Sequence, residues 1–368
     1  MFQVLDPVNQ TLIFSAVLGL VILLSIRANN EPGFLTVRQS QQLKGLAILA
    51  VFFSHIGYFL ASDQRFLYPL STLAGVGVNI FLVLSGFGLT TSALAKTSGV
   101  WEFYRKRIQK IYLPVWVVMA IFLVLDYFVL RKSYPLDSVI KGFVGFFPRA
   151  NLYVDLNSPL WYFTFITFFY LVFPWLFVRK TKWLAPLVLL LISYAILQLP
   201  LPVDAVVLGL YKLHYWGFPL GMLLALAGPY LAKCLQSRPV KVLTIPLLAA
   251  IIVVTYYTAI NSNIGQGNLE QLSSIITTLG FIGIVGLIKF KVGFLKIMGD
   301  YSYEIYLLHW PLMYSYDFLY SRLSPAVATF LYLLISLALG WLLQKLVSFL
   351  AGGLAKEPRY QTALKKRY

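Results

Sequence analysis

Runs of 15 to 25 apolar residues recur from one end of this chain to the other, each long enough, or nearly so, to cross a bilayer as a helix. Inside hydrocarbon the backbone N–H and C=O groups find no water, and a helix satisfies them within the segment. Eleven spans are expected, at 10–26, 44–61, 75–95, 111–130, 159–178, 184–200, 205–230, 241–260, 271–289, 301–319 and 326–350. Charged residues supply 12% of the 368, about half the share usual in soluble domains. The predicted fold is therefore all-α, a polytopic transmembrane helical bundle.

The net charge of +17 raises the question of nucleic acid, and the placement of the charges answers it. With the amino terminus outside, 23 of the 30 basic residues fall on one membrane face and 7 on the other. That alternation is the positive-inside bias and puts the carboxyl terminus in the cytoplasm. The basicity is topological, and no nucleic-acid partner is expected. The first run lacks a basic leader and a small-residue cleavage site, so it reads as a retained span. Residues 1–37 form this extra span and a cytoplasmic linker, 38–350 the membrane domain, and 351–368 a basic cytoplasmic tail near anionic lipid heads. The longest outer loop, 131–158, carries Tyr153 and leads to Trp161 and Tyr162, which suit an interfacial aromatic belt or the mouth of a sugar-stacking cavity. Cys234 reads as filler beside a basic loop. No internal repeat is visible, which weighs against a transporter built from inverted halves.

Polar residues inside apolar spans are costly and so are candidates for function. His55 lies deep in "KGLAILAVFFSHIGYFL" (44–60), and Lys44 stands at its mouth. Eleven residues make three helical turns, so the two share a face to within about 20° and lie roughly 16 Å apart along the axis. In "GDYSYEIYLLHWPL" (299–312), Ser302, Tyr306 and His309 form one polar stripe, while Glu304 points to a different neighbour. His214 lies near the outer end of its span and suits water contact as well as function. Gly75, Gly77, Gly86 and Gly88 allow close helix approach. Asn79 lies at the depth of His55, where an amide can fix an imidazole's tautomer. Arg105, Lys106, Arg107 and Lys110 crowd the cytoplasmic mouth of the fourth span, a topogenic cluster that can also grip phosphates. No metal site is expected.

Taken together, these segments resemble acyltransferase family 3, the bacterial integral membrane O-acyltransferases. The hallmark of a cation, ten residues and a histidine is met by Lys44 and His55. The family's glycine-rich segment is matched by "GVNIFLVLSG" (77–86), which includes Ser85, with Asn79 where an acidic residue is usual. "KRIQKIYLP" (106–114) approximates the basic motif, with Lys110 and Leu113 in place of Arg and Pro. "SYEIYLLHWP" (302–311) meets the fourth motif, and "SPLWYF" and "FPLGMLLA" also look like the family pattern. The span at 10–26 precedes the ten-span core.

The resemblance implies transfer of a short acyl group, most often acetyl, from cytoplasmic acyl-coenzyme A, with no metal. The acceptor would be a hydroxyl of a cell-surface or lipid-linked glycan. Implied partners are that glycan, the lipid bilayer and polysaccharide assembly proteins; the implied location is the bacterial inner membrane. His55 would be base or acyl carrier, with Asn79, His309 and Glu304 beside it. Glu304 or Asp126 would supply the carboxylate that Asn79 lacks, Glu304 being preferred. The donor's phosphates would rest among Lys44, Arg105, Lys106, Arg107 and Lys110, and the substrate against Ser85, Trp161, Tyr162 and Tyr306. The competing readings are a transporter or flippase with histidine proton relays, and an unrelated membrane acyltransferase acting on a lipid or protein.

Overall fold

In the computed structural model, residues 1–28, 31, 33–96, 99–235, 238–261, 268–288 and 290–352 are described. Residues from 353 onward, most of the expected basic tail, lie outside this set. In chain order the helices are α1 (Pro7–Leu24), α2 (Val37–Ser54), α3 (Ala74–Ala95), α4 (Val100–Arg107), α5 (Leu113–Phe128), α6 (Leu136–Val144), α7 (Trp161–Leu176) and α8 (Leu184–Ile196). They continue with α9 (Ala205–His214), α10 (Gly217–Leu235), α11 (Arg238–Asn261), α12 (Asn268–Leu287), α13 (Gly293–Asp300), α14 (Ser302–Tyr314) and α15 (Pro325–Leu350).

Eight helical stretches among the described residues are long and apolar enough to cross a membrane. Eleven were expected. The other three expected spans fall at α8, which is apolar but short, at α11, which runs 24 residues around the apolar stretch Val242–Thr258, and at α14. With 13 residues, α14 reaches only about 20 Å against a hydrocarbon core of about 30 Å. It ends at Tyr314, so residues 315–319 of the expected span 301–319 lie in a turn and irregular chain. A short antiparallel ribbon was not expected: β1 (Ile26–Ala28) pairs with β2 (Phe290–Val292) in the register Ile26↔Val292, Arg27↔Lys291, Ala28↔Phe290.

α1 buries only Pro7, Thr11, Phe14 and Leu18. That is a narrow heptad-spaced stripe, with leucines such as Leu12, Leu20, Leu23 and Leu24 exposed around it. α2 begins with a capping box in which Thr36 and Gln39 satisfy each other's backbone amides. From Ala47 to Ser54 it is buried without interruption. α14 buries every residue from Glu304 to Pro311. The two are the innermost helices, and each carries one of the deep histidines.

Glycine lets these helices meet backbone to backbone. A Cβ on Gly45 would lie 1.9 Å from Leu295 O, and one on Gly299 1.8 Å from Gln41 O, so α2 and α13 are in direct main-chain contact. Gly86 and Gly221 join α3 and α10 in the same way, against Phe218 O and Val83 O. With no hydrophobic drive between helices in lipid, close approach of this kind does much of the packing. Gly88, by contrast, faces open space.

Candidate active site

The α2 backbone loosens at His55. Residues His55–Leu60 form a π-helical turn, a feature frequent at functional sites. A second π turn, Ile108–Tyr112, joins α4 to α5 and contains Lys110. Each interrupts a span that contributes to the candidate site.

The two deep histidines meet. His309, fully buried, places Nδ1 2.9 Å from Tyr306 O and 3.1 Å from Ile305 O. Its Nε2 lies 3.3 Å from His55 Nδ1, which is also 2.8 Å from Val51 O. Carbonyls only accept, so these contacts assign the protons. His309 donates from Nδ1 and leaves Nε2 with a lone pair. His55 Nδ1–H then donates to Val51 O and to that lone pair. His55 Nε2 is left as a free basic nitrogen, on a ring that is only partly buried. Trp310 and Phe59 flank it, with ring centroids 5.3 and 6.0 Å away.

A row of polar-tipped aromatics connects this pair to the basic cluster. Tyr306 lies 6.5 Å from His309 between ring centroids and donates its hydroxyl to Pro159 O. Tyr162 packs edge-on against Tyr306 at 5.8 Å and lies near Ser85 and Tyr170. Tyr170 reaches toward Ser85 Oγ at 3.5 Å. The Arg107 guanidinium sits 5.4 Å from the Tyr170 ring and 5.3 Å from Phe103, with its buried Nε unpartnered. Arg105 and Lys110 are exposed at the rim, while Lys106 pairs with Glu102 at 2.5 Å. Tyr303 ties the second π turn to α14 through a 2.6 Å hydrogen bond to Ile111 O. A cation with an unsatisfied donor at the mouth of such a row fits a phosphorylated ligand with an extended arm.

The family model described as an acyltransferase domain matches residues 39–345, which takes in both histidines, the row of aromatics and the basic cluster. This chain belongs to acyltransferase family 3. It is similar to acyltransferase MdmB of Streptomyces mycarofaciens, 29% identical over 296 residues, covering 73% of this chain and 76% of that protein. No solved structure matches. The protein is a multi-pass membrane acyltransferase.

Two sequence expectations for this acyltransferase need correction. Asn79 does not orient His55. Its Oδ1 accepts from His214 Nδ1 at 2.9 Å, and its Nδ2 donates to Ser274 Oγ at 2.9 Å. The reason is azimuth. Gly77 is the α3 residue that faces α2, against Ala47, Ala50 and Val51, and two residues further on the helix has turned about 200°. Depth alone was a poor guide. Glu304 likewise faces away from the histidines, toward Gly340 and Gln344 on α15 and toward Lys44. Five residues from Glu304 to His309 rotate the helix by about 140°. Asp126 is committed elsewhere, accepting from the hydroxyls of Tyr134 and Tyr316.

His214 is a satisfied core histidine, 1% exposed, with the Trp161 ring stacked 6.0 Å away. Trp161 therefore belongs to this second polar cluster, while its neighbour Tyr162 belongs to the row leading to His309. Tyr170 and Tyr303 were not singled out in the sequence. With 24 tyrosines in the chain, nothing in spacing marks these two. Replacing Asn79 with leucine would strand the buried His214 donor and should cost about 1–3 kcal/mol of stability. A lowered melting temperature with unchanged kcat in the surviving folded fraction is the expected result; a selective loss of kcat would return Asn79 to the catalytic site.

Proposed function

We propose that this acyltransferase moves a short acyl group, acetyl in the simplest case, from acyl-coenzyme A on the cytoplasmic side to a hydroxyl of a cell-surface or lipid-linked glycan. The observation that carries this reading is the His309–His55 hydrogen bond, which leaves His55 Nε2 free to act as a base. Nε2 takes the acceptor's proton as its oxygen attacks the thioester carbonyl. The C–S bond breaks, and the departing thiolate recovers the proton from His55. While His55 is an imidazolium, its Nδ1–H is held by Val51 O and the His309 lone pair. Two neutral acceptors thus fill the place that a carboxylate would take.

In this reading Arg107, Arg105, Lys110 and Lys44 hold the donor's phosphates. The pantetheine arm runs along Tyr170, Ser85, Tyr162 and Tyr306 to His55. Arg107 should matter most among these cations, because its guanidinium already lies against Tyr170, the first ring of the row. Charge reversal in Arg107→Glu should raise KM for acyl-coenzyme A about tenfold or more, with little change in KM for the acceptor. Equal effects on both substrates would confine the cluster to topology.

The deciding experiment incubates purified protein with labelled acetyl-coenzyme A and extracted surface glycans. Label in the glycan together with free coenzyme A supports the proposal. Glycan that moves across a membrane without consuming the thioester would support transport instead. A single turnover without acceptor separates the two roles of His55: label left on the protein identifies an acyl carrier, and its absence a general base.

A further inference from the structure

A cleft of about 190 Å³ opens where α1, the start of α2 and the β1–β2 ribbon converge, lined by Ser25, Arg27, Arg38, Gln42, Lys291 and Lys296 among others. Four cations share it. Arg38 has a carboxylate partner in Glu31 and Lys296 has one in Asp300. Arg27 and Lys291 are direct cross-strand partners in the ribbon, which puts two like charges on one face, an unfavourable pairing unless an anion lies between them. Among the described residues Arg27 donates to the carbonyls of Leu24 and Ile26, which are neutral. Among these residues the cleft therefore holds a cationic excess that calls for an anionic oxygen ligand.

Apolar surface adjoins each wall. Leu24, 66% exposed, immediately precedes Ser25; Ile297, 47% exposed, follows Lys296; and Phe290, 56% exposed, precedes Lys291. A cationic cleft with flanking exposed apolar side chains matches a phosphate group attached to acyl chains. The charge bias of the loops places this end on the cytoplasmic face, where anionic lipids attract such clusters. The donor's row is elsewhere. Along α2, Arg38 is rotated about 100° from His55, whereas Lys44 is within about 20°. Arg27 and Arg38 also precede the family-matched region, which starts at 39.

We propose that this cleft binds the phosphate of an anionic phospholipid, its acyl chains lying along the exposed residues of α1 and α13. The site joins the extra amino-terminal span to the conserved domain through a shared lipid. Native mass spectrometry of the full chain, released from micelles containing phosphatidylglycerol or phosphatidylcholine, tests it. The wild type should retain phosphatidylglycerol at least about tenfold better. Arg27→Gln/Lys291→Gln should lose that preference, and Lys180→Gln/Lys345→Gln should keep it. Photoreactive phosphatidylglycerol on the wild-type protein provides a check independent of variant folding, with adducts expected within 20–28 or 290–297. Equal retention of the two lipids, adducts elsewhere, or displacement of phosphatidylglycerol by inorganic phosphate or by coenzyme A would overturn the proposal, the last two in favour of a free phosphate compound.

Discussion

Alanine at position 55 is expected to leave a folded, membrane-inserted protein whose acyl transfer has fallen by about 10²–10⁴-fold, the usual worth of a positioned general base. His55 is the one group in the site whose hydrogen bonds leave a basic nitrogen free, since Nδ1 is occupied by Val51 O and His309. Turnover with labelled acetyl-coenzyme A measures the loss, and more than a few per cent residual activity would remove His55 from the mechanism. His309 is a positioning residue, and its substitution should separate packing from proton placement. His309→Gln retains an acceptor oxygen and should keep more activity than His309→Leu at similar folded yield. If the two are equally impaired, His309 serves packing alone.

Gly299→Ala should be nearly as severe, for a different reason. The added Cβ would start 1.8 Å from Gln41 O, and that oxygen belongs to a backbone that cannot rotate away. Helices α2 and α13 would have to separate, and the reciprocal Gly45–Leu295 contact would open with them. Overpacking of this sort costs about 1–3 kcal/mol, occasionally more. Here the strain falls at the foot of the helix that carries Lys44 and His55. A melting temperature lower by several degrees, or loss of the monodisperse peak in detergent, is expected. Gly88→Ala, with nothing within 4 Å, is the control and should melt like the wild type. Wild-type melting of Gly299→Ala would mean that the interface relaxes freely.

Helical class and the identity of the deep histidines were legible in the amino-acid sequence, because both follow from the cost of polar groups in lipid and require no knowledge of which helices touch. Contacts between helices were harder to read. His55 and His309 were each singled out, yet their hydrogen bond depends on how α2 and α14 cross. Asn79 was assigned by depth to His55, and the rotation of α3 sends it to His214 instead. Glu304 was correctly seen to face another neighbour, although a catalytic role for it was still expected. Lys106 looked equivalent to Arg105 and Arg107, but the i, i+4 relation to Glu102 engages its charge. The apolar run at 326–350 was legible at both ends, whereas 301–319 was read as one span because hydropathy does not register that α14 stops at Tyr314.

The π turn that begins at His55 also decides where the chain tolerates a change of length. A π turn holds an extra residue relative to an α-helical one, so losing one residue between 56 and 60 has a local remedy: the turn tightens and the strain ends there. Upstream, the same deletion would rotate Lys44 about 100° away from His55, with no slack to absorb it in a regular helix. The ten-residue interval is thus a rigid ruler, and the segment beyond the histidine is its expansion joint. When related chains are aligned, a one-residue gap just after this histidine marks an accommodated difference, and a gap before it marks a broken site.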